Sequence, residues 1–395
     1  MPTVVMLVAI ECPFAPAHAG DNRGAASSVS AEGDAAHQSE IARLVRELGA
    51  PTFTARQRAQ RRLIEIGLNA KPALEAACDD PDDEIQRRAR EALAAIHDVA
   101  FYVRLGEFLA DEDPDDDHDL AGWRRYRSIV GANGVARRLF GDMQRAEREL
   151  LEAADRSPNR TGGLLESRCQ QAESQAQNGD NDRQSSLSLG TVAALLFVGS
   201  NPDVPVSEEA GKCISRLNGQ SSLQAAMQTR STAAVVRGLL GAWVSRSFDR
   251  DSSTAYQNLW MAMQYQLKEA VPVALALIQP PGGLPFYQQY AILAVGKLGG
   301  REHVPALMPL LDDERPIGLR DRTGHESDTQ IRDVALAVMA HLTGQKLADY
   351  GFTHAKANGV LLFNSNTLGF NDPAAREQAI KKWRAWWKTE AASDR

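Results

Sequence analysis

The feature that most restricts the fold of this chain is the apolar pattern of residues 53–96. Apolar side chains recur there every three or four positions within short segments, a spacing that places them on one face of a helix. Gly67 closes one segment, and Pro72 lies in the first turn of the next, where its missing N–H costs no hydrogen bond. The pattern predicts successive short helices, with apolar faces at Ala59, Leu63 and Ile66 and at Ile85, Ala89, Leu93 and Ile96.

Polar residues predict where these helices begin. Thr54, with Gln57 three positions later, matches a capping box and predicts that the first helix starts there. Asp82 or Asp83 is expected to cap the helix that contains Ile85, because a carboxylate can accept the free N–H groups of the first turn.

A similar arrangement returns near the C-terminus. The two copies match at four positions: a small residue, a glycine stop, an apolar residue and a second small residue. They are Ala59, Gly67, Ile85 and Ala89 in the first copy and Ala291, Gly299, Ile331 and Ala335 in the second. A partial third copy around Pro272 lies about one repeat length before Pro305. This pattern resembles the HEAT-repeat family. The resemblance implies an all-α fold of HEAT-like α-solenoid helix pairs in two halves, because a single repeat cannot bury its own apolar face.

The residues after the second copy resemble the C-terminal extension of some uncharacterised exported bacterial HEAT-repeat proteins. The resemblance is carried by the aromatic and glycine residues of 349–352 and 368–370, with Trp383 and Trp386. Within 346–372, the β-prone run 359–363, the Asn-rich turn 364–366 and the second short run 367–370 predict a small hairpin or an ordered loop. Asp372 and Pro373 then begin a closing helix.

The N-terminus predicts export. An apolar run from Val4 to Ile10 precedes Ala17-His18-Ala19, a small-x-small pattern typical of signal-peptide cleavage. The mature chain is therefore expected in the periplasm or outside the cell, and a cytoplasmic chain with an uncleaved N-terminus is the alternative. Elsewhere no apolar run approaches the roughly 18 residues of a membrane-spanning helix, so none is predicted in the mature chain.

Composition suggests the remaining boundaries. The predicted segments are a signal peptide at 1–19, a Gly/Ala/Ser-rich flexible linker at 20–38, an N-terminal HEAT-like domain at 39–155, a polar, disordered linker at 156–188, a C-terminal HEAT-like domain at 189–345, and a C-terminal extension with a capping helix at 346–395.

The sequence contains no catalytic pattern that we recognise. Its histidines are scattered, and zinc-helix, nucleophile-elbow and phosphate-loop motifs are absent. The acidic run 111–119 fails the spacing of a calcium loop, because Gly122 stands where a glutamate is needed. We therefore predict no catalytic, cofactor-binding or metal-binding residues and no cofactor. Cleavage would leave Cys78, Cys169 and Cys213, which allow one disulfide in an oxidising compartment without determining its pairing.

These observations favour a non-catalytic helical-repeat scaffold that binds another protein. Nucleic acid is not an expected partner, because the net charge is −7 and export separates the chain from it. One alternative is a lyase-type enzyme with a HEAT-like fold, which rests on fold analogy alone. The other is a cytoplasmic regulator that uses an arginine ridge at 56–90, for which the competing interpretation is a solvated face offset by glutamates.

Two places are candidates for partner binding. Residues 314–328 lengthen an inter-helix turn of the second copy, and long insertions in repeats can carry binding. The closing helix carries three tryptophans that either anchor a partner or cover the open end of the repeat stack. The candidate residues are Arg320, Arg322, His325, Glu326, Trp383, Trp386 and Trp387.

Overall fold

A computed structural model describes residues 36–111, 113, 115–178, 187–248, 252–279, 283–318 and 329–393. Over these residues the fold is all-α, with one two-stranded sheet. The chain divides into two compact units, Met1–Gly106 and Glu107–Arg395. Each described helix is too short or too polar to cross a membrane. The predicted signal peptide and most of the 20–38 linker fall outside the described residues, and residues 36–38 begin a helix.

The described part of unit 1 contains four α-helices, and the fourth continues past the boundary of the unit. They are α1 (residues 36–47), α2 (Phe53–Ile66), α3 (Lys71–Ala77) and α4 (Asp83–Ala110). Their apolar faces form one core in which Ile41, Leu63 and Leu74 have no exposed surface. Because the sequence pattern placed Ala59, Leu63 and Ala89 on inward faces, their burial confirms the helical periodicity of 53–96.

The starts and stops of these helices follow local chemistry. Gly67 ends α2 with φ of 71°, a conformation that favours glycine, and Pro72 lies in the first turn of α3, both as expected. Asp82 caps α4 by accepting the Glu84 N–H at 2.8 Å. The predicted cap at Thr54 is wrong. The extended residue is Thr52, whose hydroxyl accepts the Ala55 N–H at 3.4 Å, so α2 begins earlier.

The first part of unit 2 contains a helix that composition did not predict. The helices of this first part are α5 (Trp123–Val130), α6 (Gly134–Arg156), α7 (Gly162–Asn178), α8 (Leu189–Gly199), α9 (Glu208–Arg216), α10 (Ser221–Gln228), α11 (Arg230–Val244) and α12 (Ser253–Tyr265). Helix α7 lies inside the segment predicted to be a disordered linker, so that prediction is wrong over its length. Helix α7 carries a buried stripe formed by Leu165, Cys169 and Ala172. Three residues are too few to raise the average hydrophobicity of this polar segment. The boundary between the compact units also lies at 106 rather than at 155.

The second part of unit 2 contains α13 (Val271–Ile278), α14 (Pro285–Leu298), α15 (Val304–Leu307), α16 (Ile331–Leu342) and α17 (Pro373–Ser393). Helix α14 packs against α12, α13 and α16. Its central residues, Ala291 through Val295, have no exposed surface, so α14 is a core helix. Asp372 caps α17 as expected, since its carboxylate accepts the Ala374 N–H at 3.0 Å.

A short antiparallel hairpin precedes α17. Its strands are β1 (Ala357–Asn358) and β2 (Leu362–Phe363), with Ala357 opposite Phe363. The sequence predicted a hairpin or loop here but placed its turn at 364–366. The turn lies at 359–361 instead, because the Asn358 side chain accepts the N–H groups of Val360 and Leu361, each at 2.9 Å.

Candidate functional site

The predicted insertion begins and ends on an anchored stem. Ile317 N–H donates to the Thr329 carbonyl at 3.0 Å, and Ile331 N–H donates to the Arg315 carbonyl at 3.0 Å. The side chains of Ile317 and Thr329 have no exposed surface. The two ends of the insertion are therefore fixed to each other. Four of the candidate residues, Arg320, Arg322, His325 and Glu326, lie outside the described residues.

Arg315 connects this stem to the start of α14. Its guanidinium pairs with the Asp313 carboxylate at 2.7 Å and donates to the Gln288 side chain at 2.7 Å. It also donates to the Gly283 carbonyl at 3.1 Å. The hydrogen bond to Asp313 raises the pKa of Arg315, which keeps the guanidinium charged. These contacts border a groove of about 220 Å³ lined by Ile278, Gln279, Gln288, Ala306, Pro309, Leu310, Asp312, Asp313 and Arg315.

Exposed apolar side chains lie at the beginning of α14, the helix whose Gln288 lines the groove. Leu284 is 56% exposed and Phe286 is 39% exposed. The Phe286 ring contacts Tyr287 and Tyr290, with centroids 5.3 and 5.8 Å away. Burial raises the pKa of the Tyr290 hydroxyl, so this part of the cluster is uncharged. We call the set Leu284, Phe286, Asp313 and Arg315 the stem–α14 surface.

Sequence reasoning missed Leu284 and Phe286. Helix α14 is apolar on nearly all sides, so an outward-facing phenylalanine does not break a visible pattern. The available signal was the pair Leu284-Pro285, which follows Gly282-Gly283. Pro285 begins the helix, so Leu284 lies outside it, and helical periodicity does not place this leucine on an inward face.

The three tryptophans of α17 pack largely within unit 2. Trp383 is fully buried, and its ring lies 5.8 Å from Tyr350 and 5.0 Å from Trp386. Trp386 and Trp387 are half-buried, and the Arg301 guanidinium lies 5.8 Å from the Trp387 ring. Trp383 therefore belongs to the core rather than to a partner-binding surface. Trp386 and Trp387 keep some exposed surface.

A buried ion pair attaches α17 to α16. Arg376 donates to both Asp333 carboxylate oxygens, at 2.8 and 3.2 Å, and both side chains are buried. Burial raises the pKa of the Asp333 carboxyl, and the hydrogen bond from Arg376 opposes that shift. Next to it, Arg332 pairs with Glu377 of α17 at 2.8 Å and with Glu314 of the insertion stem at 3.0 Å. The stem and the closing helix are thus held by one charged network.

A second groove, of about 270 Å³, lies between the end of α9 and α12. It is lined by Ser215, Arg216, Asn218, Gly219, Tyr256, Gln257 and Trp260. The Asn218 Oδ1 and Gln257 Oε1 atoms are buried without a hydrogen-bond partner among the described residues. The Trp260 side chain is half-buried. The groove offers aromatic surface and two hydrogen-bond acceptors.

The acidic segment brings three groups together that could hold a metal ion. Ligand atoms of Asp111, Asp116 and His118 all lie within 4.8 Å of one another. The His118 Nε2 atom lies 3.0 Å from the Asp111 carboxylate, and Arg124 pairs with Asp117 at 2.8 Å. Contacts inside the segment therefore account for its arrangement, and we assign it no ligand.

The arginine ridge of unit 1 is mostly paired with carboxylates. Arg56, Arg87 and Arg88 all contact Glu84, at distances between 2.6 and 2.9 Å. Arg62 pairs with Glu40 at 3.1 Å. These glutamates offset the positive charge that a phosphate-binding ridge would need.

Comparisons with known proteins assign no family. No protein-family model matches the chain, and a comparison with curated proteins finds no match. The resemblance to HEAT repeats therefore stays a prediction.

Proposed function

We propose that this chain is a non-catalytic scaffold that binds another protein through the stem–α14 surface. The observation that carries the proposal is the exposure of Leu284 and Phe286 at the start of α14, where Arg315 of the stem contacts Gly283 and Gln288. Protein interfaces commonly combine an apolar or aromatic centre with a polar rim. Here the two apolar side chains form the centre, and Arg315 with its carboxylate partner Asp313 forms the rim.

The anchored insertion supports the same surface. Arg315 belongs to the stem and also contacts the start of α14, so a partner that touches Phe286 lies close to the ends of the insertion. We further propose that the helix pairs stack as a HEAT-like α-solenoid and that the mature chain works in the periplasm or outside the cell. The apolar faces of the two sequence copies and the N-terminal pattern support these two points.

The two alternative functions have weaker support. A lyase-type enzyme needs a deep polar pocket, whereas two grooves formed by the described residues, beside Arg315 and Trp260, hold about 220 and 270 Å³. Both volumes fall below the roughly 300–1,000 Å³ of typical ligand pockets. The regulator alternative needs free arginines on the ridge, and four of them are paired with glutamates: Arg56, Arg62, Arg87 and Arg88. Arg58 and Arg61 are exposed.

The proposal is tested by affinity purification of the mature chain with chemical cross-linking, in wild type and in Leu284→Asp. A charge at the centre of an interface removes apolar contact and leaves a buried ion unpaired, so we expect at least a tenfold loss of the captured partner. Leu68→Asp is the matched control, because Leu68 is 58% exposed in unit 1 and Leu284 is 56% exposed.

Circular dichroism and the thermal midpoint show whether either variant has lost its fold. A partner that is lost equally from both variants, or retained by Leu284→Asp, would place binding elsewhere. Failure to recover any specific partner with the wild-type chain would count against the scaffold itself.

A further inference from the structure

The structure brings two of the cysteines together. Cys169 lies on α7 and Cys213 on α9, and these two helices pack against each other. The Cys213 Sγ atom lies 3.5 Å from the carbonyl oxygen of Cys169, and the Cys169 Sγ atom lies 4.0 Å from the carbonyl oxygen of Ala210. A sulfur this close to the backbone of the other cysteine is within reach of that cysteine's own side chain.

The two thiols share a dry environment. Cys169 is 1% exposed and Cys213 is 2% exposed. A hydrogen bond with Cys213, together with burial, raises the pKa of the Cys169 thiol, so the thiolate is rare in the folded protein. Thiol–disulfide exchange requires a thiolate and access for the oxidant. Reaction of this pair is therefore expected while the chain folds, or when α7 opens locally, rather than in the closed native state.

We propose that Cys169 and Cys213 form a disulfide that joins α7 to α9 when the chain folds in an oxidising compartment. The two residues are 44 positions apart. A cross-link between them closes a long loop, which restricts the unfolded chain and so stabilises the fold. Residues 179–186, for which no structure is described, lie inside this loop.

The chemistry requires a disulfide-bearing oxidant, such as oxidised glutathione or a dithiol–disulfide oxidoreductase. The thiolate of one cysteine attacks a sulfur of the oxidant, which breaks the oxidant's S–S bond and releases one thiol. The second thiolate then attacks the mixed disulfide, forms the Cys169–Cys213 bond and releases the second thiol. The protein loses two electrons and two protons, and the oxidant is reduced to two thiols.

The third described cysteine provides the internal comparison. Cys78 belongs to unit 1, follows α3 and is half-exposed. Its side chain packs against the core of unit 1 and not between α7 and α9. The structure therefore selects one pairing where the sequence allowed three.

The test is peptide mapping of the full chain after refolding in a glutathione redox buffer. Free thiols are blocked with N-ethylmaleimide, and the digest is analysed without reduction. We expect one cross-linked peptide pair containing Cys169 and Cys213, with Cys78 recovered in the blocked form. Recovery of both Cys169 and Cys213 as blocked thiols, or a cross-link from either one to Cys78, would overturn the proposal.

A stability measurement gives a second readout. Dithiothreitol is expected to lower the unfolding midpoint of the oxidised chain by on the order of 5–10 °C. The double variant Cys169→Ser/Cys213→Ser should show no dependence on the reductant, whereas Cys78→Ser should keep the full shift. A reductant-dependent shift that persists in the double variant would contradict the proposed cross-link. Mapping of the wild-type chain decides the pairing even if the double variant folds poorly.

Discussion

At the scale of single residues, Glu84 has the most distinctive surroundings in unit 1. Guanidinium groups of Arg56, Arg87 and Arg88 all lie within hydrogen-bond distance of its carboxylate. The hydrogen bond from Arg87 is the largest of the effects that lower the pKa of Glu84, and the bond from Arg88 comes next. The charged form is therefore favoured although the side chain is at the surface.

We expect Glu84 to titrate at about 2 rather than near its ordinary value of 4.5. Because its pKa is lowered in the folded state, its contribution to stability is complete above about pH 4.5. That contribution is lost as the pH falls towards 2. NMR titration of the carboxyl carbon measures the value directly. Arg87→Gln should raise the pKa of Glu84. Arg58→Gln is the control, because it also removes one positive charge, from α2, without removing a contact with Glu84. An equal rise in both variants would show that net charge alone sets the pKa.

The sequence showed part of this arrangement. One interpretation of the sequence was that glutamates offset the ridge, and the pairs Arg62–Glu65 and Arg87–Glu91 are present. Both pairs are three or four residues apart, so helical spacing alone predicts them. The contact from Arg56 on α2 to Glu84 on α4 depends on how two helices pack, which spacing does not determine.

At the scale of elements, α17 behaves as a closing helix. Trp383→Ala should destabilise unit 2 by about 3–5 kcal/mol, because removing a fully buried indole leaves a cavity. Trp387→Ala on the same helix should cost clearly less, because that ring is half-buried. Urea unfolding followed by far-UV circular dichroism gives both values. Similar small effects in the two variants would mean that α17 does not close the core and that its tryptophans serve a partner.

Element boundaries were predictable where one residue determines them. Gly67 and Pro72 stop and start helices through backbone geometry, and Asp372 does so through its side chain. Helix α7 was missed because its three buried residues are spread over a polar segment. Their burial depends on packing, as of α7 against α9, which the sequence does not show. The insertion was located from the break in the repeat. The contacts of Arg315 with Gln288 and Gly283 were not predicted, since they join segments about 30 residues apart.

At the scale of the whole molecule, the positions of the tryptophans allow the unfolding of unit 2 to be followed separately. All six tryptophans lie in unit 2, at Trp123, Trp243, Trp260, Trp383, Trp386 and Trp387. Tryptophan fluorescence therefore follows unit 2 alone, whereas far-UV circular dichroism follows the helices of both units. The two signals together distinguish one cooperative transition from two.

Leu63 and Leu336 form a matched pair for this test, because both are leucines with no exposed surface and they lie in different units. Each Leu→Ala change should cost about 2–5 kcal/mol through lost apolar contact and a cavity. If each unit unfolds on its own, Leu63→Ala moves the dichroism transition and leaves the fluorescence midpoint unchanged, while Leu336→Ala moves the fluorescence midpoint. A fluorescence shift of the same size in both variants would show instead that the two units unfold as one.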